Sequence, residues 1–156
     1  MVCAMIETPL GRMAALAEGK CLLSLWFEGQ KHYGLPEDAP LCPEHPVLQA
    51  TQRWVAAYFA GQPLPETPPL APQGTDYQKS VWQALLDIPW GATVTYGDLA
   101  KKLGSAPRAV GSAVGRNPIS LMIPCHRVVG AKKQLTGYAG GLERKRYLLR
   151  LEGSVK

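Results

Sequence analysis

Between Pro63 and Gly74 the chain carries five prolines or glycines beyond Pro63 itself, with no hydrophobic period. Proline removes a backbone donor and fixes φ, so neither a helix nor a central strand runs through such a stretch. The fold must therefore be assembled in two parts, residues 1–73 including this linker and residues 74–156. A length of 156 residues suits one ordinary domain or two small ones sharing an interface.

The two parts are patterned differently. Met1–Glu7, Arg12–Glu18 and Cys21–Glu28 are short apolar-rich segments separated by Pro9-Leu10-Gly11 and Gly19-Lys20, which predicts an antiparallel meander. His45–Ala60 then places Val47, Leu48, Thr51, Trp54, Val55, Tyr58 and Phe59 at helical spacing, with Pro46 in the first turn and Gly61 beyond the end. From Tyr77 onward the period is helical. Val81, Trp82, Leu85 and Leu86 form one face, and Pro89-Trp90-Gly91 ends it. Thr95 is placed to cap a helix to Leu103, with Asp98 answering it. Gly104 breaks that helix, and Ser105 is expected to cap another from Ala106 to about Gly115. A last helix covers Leu142–Leu151. The expected class is α+β: a small sheet plus helix, followed by a mainly helical domain containing a helix-turn-helix.

Charge follows the same division. Residues 1–73 hold four Lys/Arg against seven Asp/Glu, whereas residues 74–156 hold thirteen against five. A basic second half favours a polyanionic partner, nucleic acid first, although a solvated helix face is the plainer alternative. No apolar run approaches the ~20 residues of a membrane span, and the start lacks the features of a secretory signal. Four scattered cysteines (Cys3, Cys21, Cys42, Cys125) make no disulfide framework. A reducing, cytoplasmic setting is the expectation.

One of those cysteines stands apart. Ile123-Pro124-Cys125-His126-Arg127-Val128-Val129 sets a thiol beside an imidazole between apolar flanks. A thiol is a strong nucleophile only as thiolate, so a neighbouring base matters. A buried structural cysteine is the bland reading of the same residues.

Val81-Trp82, Ile88-Pro89, Thr95-Tyr96-Gly97-Asp98-Leu99-Ala100, Arg108-Ala109-Val110-Gly111, Arg116-Asn117-Pro118, the Pro-Cys-His-Arg segment, Gly137-Tyr138-Ala139-Gly140-Gly141 and Leu151-Glu152-Gly153 occur in that order. Together they resemble the O6-alkylguanine-DNA alkyltransferases over roughly residues 74–153. The resemblance implies that Cys125 accepts the alkyl group and keeps it, and that His126 draws the thiol proton through a water. It implies that Glu152 orients His126, that Asn117 ties the helix-turn-helix to the active-site segment, and that Tyr138 donates to the purine. Arg108 would fill the gap left in the duplex, and Tyr96 would crowd the phosphate beside the flipped base. Ala109, Gly111, Ser112, Gly115 and Arg116 join them on the DNA side; Ala139 and Arg127 join Tyr138 around the substrate. The implied partner is double-stranded DNA containing O6-alkylguanine, with O4-alkylthymine open. No cofactor, metal or membrane is implied, and the chain is expected to be a monomer, with self-association on DNA open.

Chemistry is consistent with that implication. An alkyl group on O6 lies inside the base stack, so the base must be flipped out at a cost of a few kcal/mol. Displacement at an alkyl carbon suits a soft thiolate, and the departing purine needs a proton. A thioether is a poor leaving group, so one protein repairs one lesion. Three features depart from the family pattern. Tyr96 to Arg108 is two residues shorter than usual, Ala139 replaces a common serine, and Trp26 stands where a zinc-binding relative has histidine. Cys3 and Cys21 are accordingly read as buried cysteines. The competing classes are a non-catalytic lesion-binding protein, a cysteine-sensing helix-turn-helix regulator and a thiol hydrolase.

Overall fold

The computed structural model describes residues 1–155, and the chain divides into two compact units, Met1–Gln73 and Gly74–Lys156. Unit 1 is a three-stranded antiparallel meander with one helix. Its strands are β1 (Val2–Thr8), β2 (Gly11–Glu18) and β3 (Cys21–Phe27), in that spatial order. Ile6 pairs with Met13, and Met13 with Phe27, so apolar residues meet across the central strand. Met13–Ala17 are buried without interruption, which means that β2 is covered on both faces. Helix α1 (Pro46–Phe59) begins where His45 Nδ1 accepts the Val47 N–H at 3.2 Å, an imidazole serving as cap. Its buried stripe is Val47, Leu48, Thr51, Trp54, Val55 and Tyr58. Fully burying a side chain such as Leu48 contributes roughly 1.5–3 kcal/mol.

The Pro-rich segment is less free than its composition suggests. Leu22 N–H donates to the Pro69 carbonyl at 2.8 Å and Ala71 N–H to the Leu22 carbonyl at 2.9 Å, so the segment runs beside β3 as a one-residue bridge at Leu70. Cys3 is buried, but Cys21 is only half-buried, which corrects the reading of both as interior.

Unit 2 begins with α2 (Asp76–Leu85). Thr75 and Gln78 cap its first turn reciprocally, a box the sequence reading did not identify. Gly74 is required just before it, because a Cβ there would lie 2.5 Å from the Trp82 ring. Strand β4 (Val94–Thr95) leads directly into α3 (Tyr96–Leu103), capped as expected by Thr95 and Asp98. Gly104, at φ 62, ends α3 in the left-handed region that glycine tolerates. Helix α4 (Pro107–Gly115) follows. Its cap is Ala106, with no side-chain hydrogen bond, and not Ser105. Pro107 supplies the first helical residue, where its fixed φ suits the helix and its missing N–H costs no intrahelical bond. The Ser105 hydroxyl instead lies 2.7 Å from the Tyr77 hydroxyl.

Trp82 Nε1 donates to the Ala113 carbonyl at 2.8 Å, pinning α4 to α2. Trp82 and Trp54 are interior, whereas Trp90 is 41% exposed. Strand β5 (Val128–Val129) pairs in parallel with β4, and α5 (Leu142–Leu151) closes the unit. Among the described residues, no helix is long and apolar enough to cross a membrane.

Candidate active site

Asn117, just past α4, organises the approach to the thiol. Its side-chain nitrogen donates to the carbonyls of Ile119 (3.3 Å) and Ile123 (2.8 Å), and its oxygen accepts the Ile119 N–H at 3.0 Å. The segment it clasps turns through Leu121, a buried residue at φ 71. Such a conformation is unfavourable for a branched side chain and persists only where the surroundings enforce it. Pro124 then leads into a single 3₁₀ turn, Cys125–Arg127, which runs straight into β5.

That turn faces the end of α5. His126 Nε2 lies 2.6 Å from Glu152 Oε2, and both side chains have no exposed surface. Glu152 occupies the C-cap of α5, where the helix dipole disfavours a carboxylate, so its placement depends on cationic partners. Arg127 is one: its Nε donates to Glu152 Oε1 at 2.7 Å and its Nη2 to Oε2 at 3.1 Å. Its Nη1 donates to the Ile88 carbonyl at 2.6 Å. The guanidinium expected at the substrate is therefore committed to the protein, because the strongest acceptor within its reach is the carboxylate behind His126.

Burial governs the ionisation of the group. It pushes the Cys125 thiol above its ordinary value, opposed by the Asn117 side chain and the Lys145 charge. It pushes His126 below the usual imidazole range, opposed by the hydrogen bond to Glu152. The resting pair is thus thiol and neutral imidazole, a weak nucleophile beside a competent base. Tyr138 is raised well above the normal phenol range, by burial first and then by Cys125, so it stays a proton donor. Its buried hydroxyl lies beside the Ser120 side chain, which weakly opposes that rise.

The remaining residues fall on two faces. Arg108, Ala109, Ser112 and Arg116 are exposed on one side of α4, while Val110, Ala113 and Val114 pack inward. Gly111 sits against Tyr96, whose ring would be 3.7 Å from a Cβ there; Gly115 is half-buried with open space around its Cα. The Tyr96 hydroxyl donates to the carbonyls of Thr136 and Gly137, 3.1 Å each. Ala139, half-buried, follows Tyr138 in the same loop.

Two features escape a motif reading. Arg127 backs Glu152, and Lys145 is wholly buried although it stands between Arg144 and Arg146 in the basic second half of the chain. A signal for Lys145 existed: Lys145, Leu148, Leu149 and Glu152 share one helical stripe. Among the described residues, no three His, Cys, Asp or Glu side chains are grouped to hold a metal ion. A groove of about 660 Å³ in unit 1, lined by Lys20, His45, Arg53 and prolines of the linker, includes none of Cys125, His126, Tyr138 or Glu152.

Fold and site describe a protein with a buried cysteine in the same turn as an imidazole that is paired with a carboxylate. A family model described as the DNA-binding domain of 6-O-methylguanine DNA methyltransferase matches residues 76–154. The chain is 44% identical over 157 residues to the methylated-DNA–protein-cysteine methyltransferase of Methanosarcina acetivorans, covering 99% of each. It is 43% identical over 148 residues to that of Haemophilus influenzae, covering 93% of this chain and 82% of the relative. The crystal structure of Mycobacterium tuberculosis OGT in complex with DNA superposes with a TM-score of 0.91 at 40% identity, over 99% of this chain and 94% of that one. The chain belongs to the methylated-DNA–protein-cysteine methyltransferase family.

Proposed function

We propose that this protein repairs DNA by moving the alkyl group of O6-alkylguanine irreversibly onto Cys125. The observation that carries the reading is the buried His126–Glu152 contact of 2.6 Å, made from the same turn that holds the thiol. His126 takes the thiol proton through a water, and Glu152, steadied by Arg127, balances the imidazolium that results. The thiolate attacks the alkyl carbon; the S–C bond forms as the C–O6 bond breaks. The purine leaves with the bond's electron pair and receives a proton from Tyr138, which the imidazolium then restores. Net transfer is one alkyl group for one proton, and no water cleaves the thioether.

Helices α3 and α4 act as the helix-turn-helix in this reading. The exposed face of Arg108, Ala109, Ser112 and Arg116 meets DNA, and its small residues permit close approach to a groove. Arg108 enters the vacancy left by the flipped base, while Tyr96 crowds the neighbouring phosphate. Affinity comes from phosphate contacts and falls steeply with salt. The protein works as a cytoplasmic monomer.

Intact-protein mass after mixing with excess duplex containing O6-methylguanine tests the proposal. The expected result is a gain of one methylene per chain, mapped to Cys125 and absent in Cys125→Ser. An unchanged mass with tight lesion binding would instead identify a lesion-binding protein that performs no transfer.

A further inference from the structure

Lys145 has no exposed surface, and the transfer scheme assigns it no step. Its Nζ donates to the Val128 carbonyl at 2.5 Å and to the Thr136 carbonyl at 2.7 Å. Val128 belongs to β5, paired with β4 immediately after the Cys125 turn. Thr136 belongs to the irregular loop that carries Tyr138 and Ala139. One ammonium from α5 therefore joins the regular wall of the site to the irregular one.

A second donor converges on the same carbonyl. Tyr96, the first residue of α3, shares its phenolic proton between Thr136 and Gly137. Lys145 Nζ lies 5.9 Å from the Tyr96 ring centroid, within cation–π range. Gly137 is shaped for this contact: it has φ 56, and a Cβ on it would stand 3.3 Å from the Tyr96 hydroxyl. Burying an ammonium is costly unless its protons are well used, and burial pulls Lys145 down to about 8. An apolar side chain would fill the stripe with Leu148 and Leu149 without that cost, so the lysine needs a reason that packing does not supply.

We propose that Lys145 is a positioning residue for alkyl transfer: together with Tyr96 it latches the loop between β5 and α5 at the Thr136 carbonyl and so holds Tyr138 over Cys125. The two holds differ in kind. Tyr96 is half-buried and adjoins α4, so an arriving base or phosphate draws its hydroxyl away. Lys145 is sealed in and keeps the carbonyl. The loop yields at one hold and stays anchored at the other, admitting a base without losing Tyr138. The purpose of the latch rests on the proposed transfer, but the latch itself is a property of the DNA-free protein.

It is tested on the full-length protein without DNA. Two quantities are measured: the rate at which iodoacetamide labels Cys125, located by peptide mapping, and hydrogen exchange of the loop amides. Tyr96→Phe and Lys145→Met are each expected to speed labelling about threefold or more and to lower loop protection, because an unlatched loop opens more often. The sign discriminates. The Lys145 charge favours the thiolate, so a purely electrostatic lysine would make Lys145→Met slower and Tyr96→Phe unchanged. Tyr96→Phe is decisive even if Lys145→Met does not fold: wild-type labelling and protection in that variant overturn the latch. With lesion DNA, Lys145→Met is expected to slow transfer more than tenfold at unchanged DNA affinity. If the wild-type protein transfers no alkyl group at all, the functional reading fails while the labelling result still stands.

Discussion

The two units bury different kinds of matter. In unit 1 the buried polar side chains are Ser24, Gln30 and Thr51, all uncharged; in unit 2 they include His126, Arg127, Lys145 and Glu152. Unit 1 gains its stability from apolar area, where each side chain contributes through volume and fit. Unit 2 gives up part of that gain to hold ionisable groups, of which His126, Arg127 and Glu152 partner one another and Lys145 is met by backbone carbonyls. A buried charge is tolerable only when its hydrogen bonds are satisfied. Side chains in the first unit are therefore replaceable by shape, and those in the second only as a set.

Glu152→Gln should break this contrast most severely. It leaves the Arg127 charge buried without its counterion and one acceptor oxygen where His126 and Arg127 had two, so stability should fall on the order of 3–5 kcal/mol. Single-turnover transfer should slow at least a hundredfold in the protein that remains folded, roughly the range of a lost general base. Denaturant midpoints and quench kinetics measure both. Wild-type values would mean that His126, Arg127 and Glu152 are independent.

Leu48→Ala in α1 is the matching change in unit 1. It should cost about 2–5 kcal/mol, depending on how far the cavity collapses. Transfer by the folded fraction should stay within about twofold, because no ionisable pair is touched. A rate that falls with stability would show that the division between the units is not functional.

A smaller effect comes from pH. Burial lowers His126, so the folded state keeps it neutral where the unfolded chain, with an ordinary value near 6.5, takes up a proton. Below that value the unfolded state binds more protons, and stability falls as pH falls. Urea unfolding from neutral pH to about pH 5 should show this slope, and His126→Gln should flatten it. The transfer rate should hold into the same acid range before the base is lost. Least of all, Thr75→Ala removes one cap of α2 and should cost about 1 kcal/mol without changing transfer. A large loss of rate from that change would mean that α2 does more than support α4 through Trp82.

Much of the fold is legible in local pattern. The meander, α1 and α5 announce themselves through period and turn residues, and the Thr95–Asp98 cap through its spacing. The parallel pair of β4 and β5 does not: two-residue strands at Val94 and Val128 carry no period, and they meet only because the intervening helices fold back. Ser105 misleads for a related reason, since a residue that often caps a helix also bonds across to a tyrosine such as Tyr77 when one is in reach.

At the site, the sequence by itself determined which reactive groups are present: one thiol beside one imidazole, a carboxylate at the end of the last helix, and a loop tyrosine between glycines. Composition and order are written in the chain. Only the tertiary structure decided what those groups are to one another. His126 meets Glu152 across 26 residues, Arg127 turns behind the carboxylate, and Lys145, flanked by Arg144 and Arg146, turns into the interior. Ionisation follows from that arrangement, because burial and nearby charge set a proton's affinity, and neither exists until distant segments pack together.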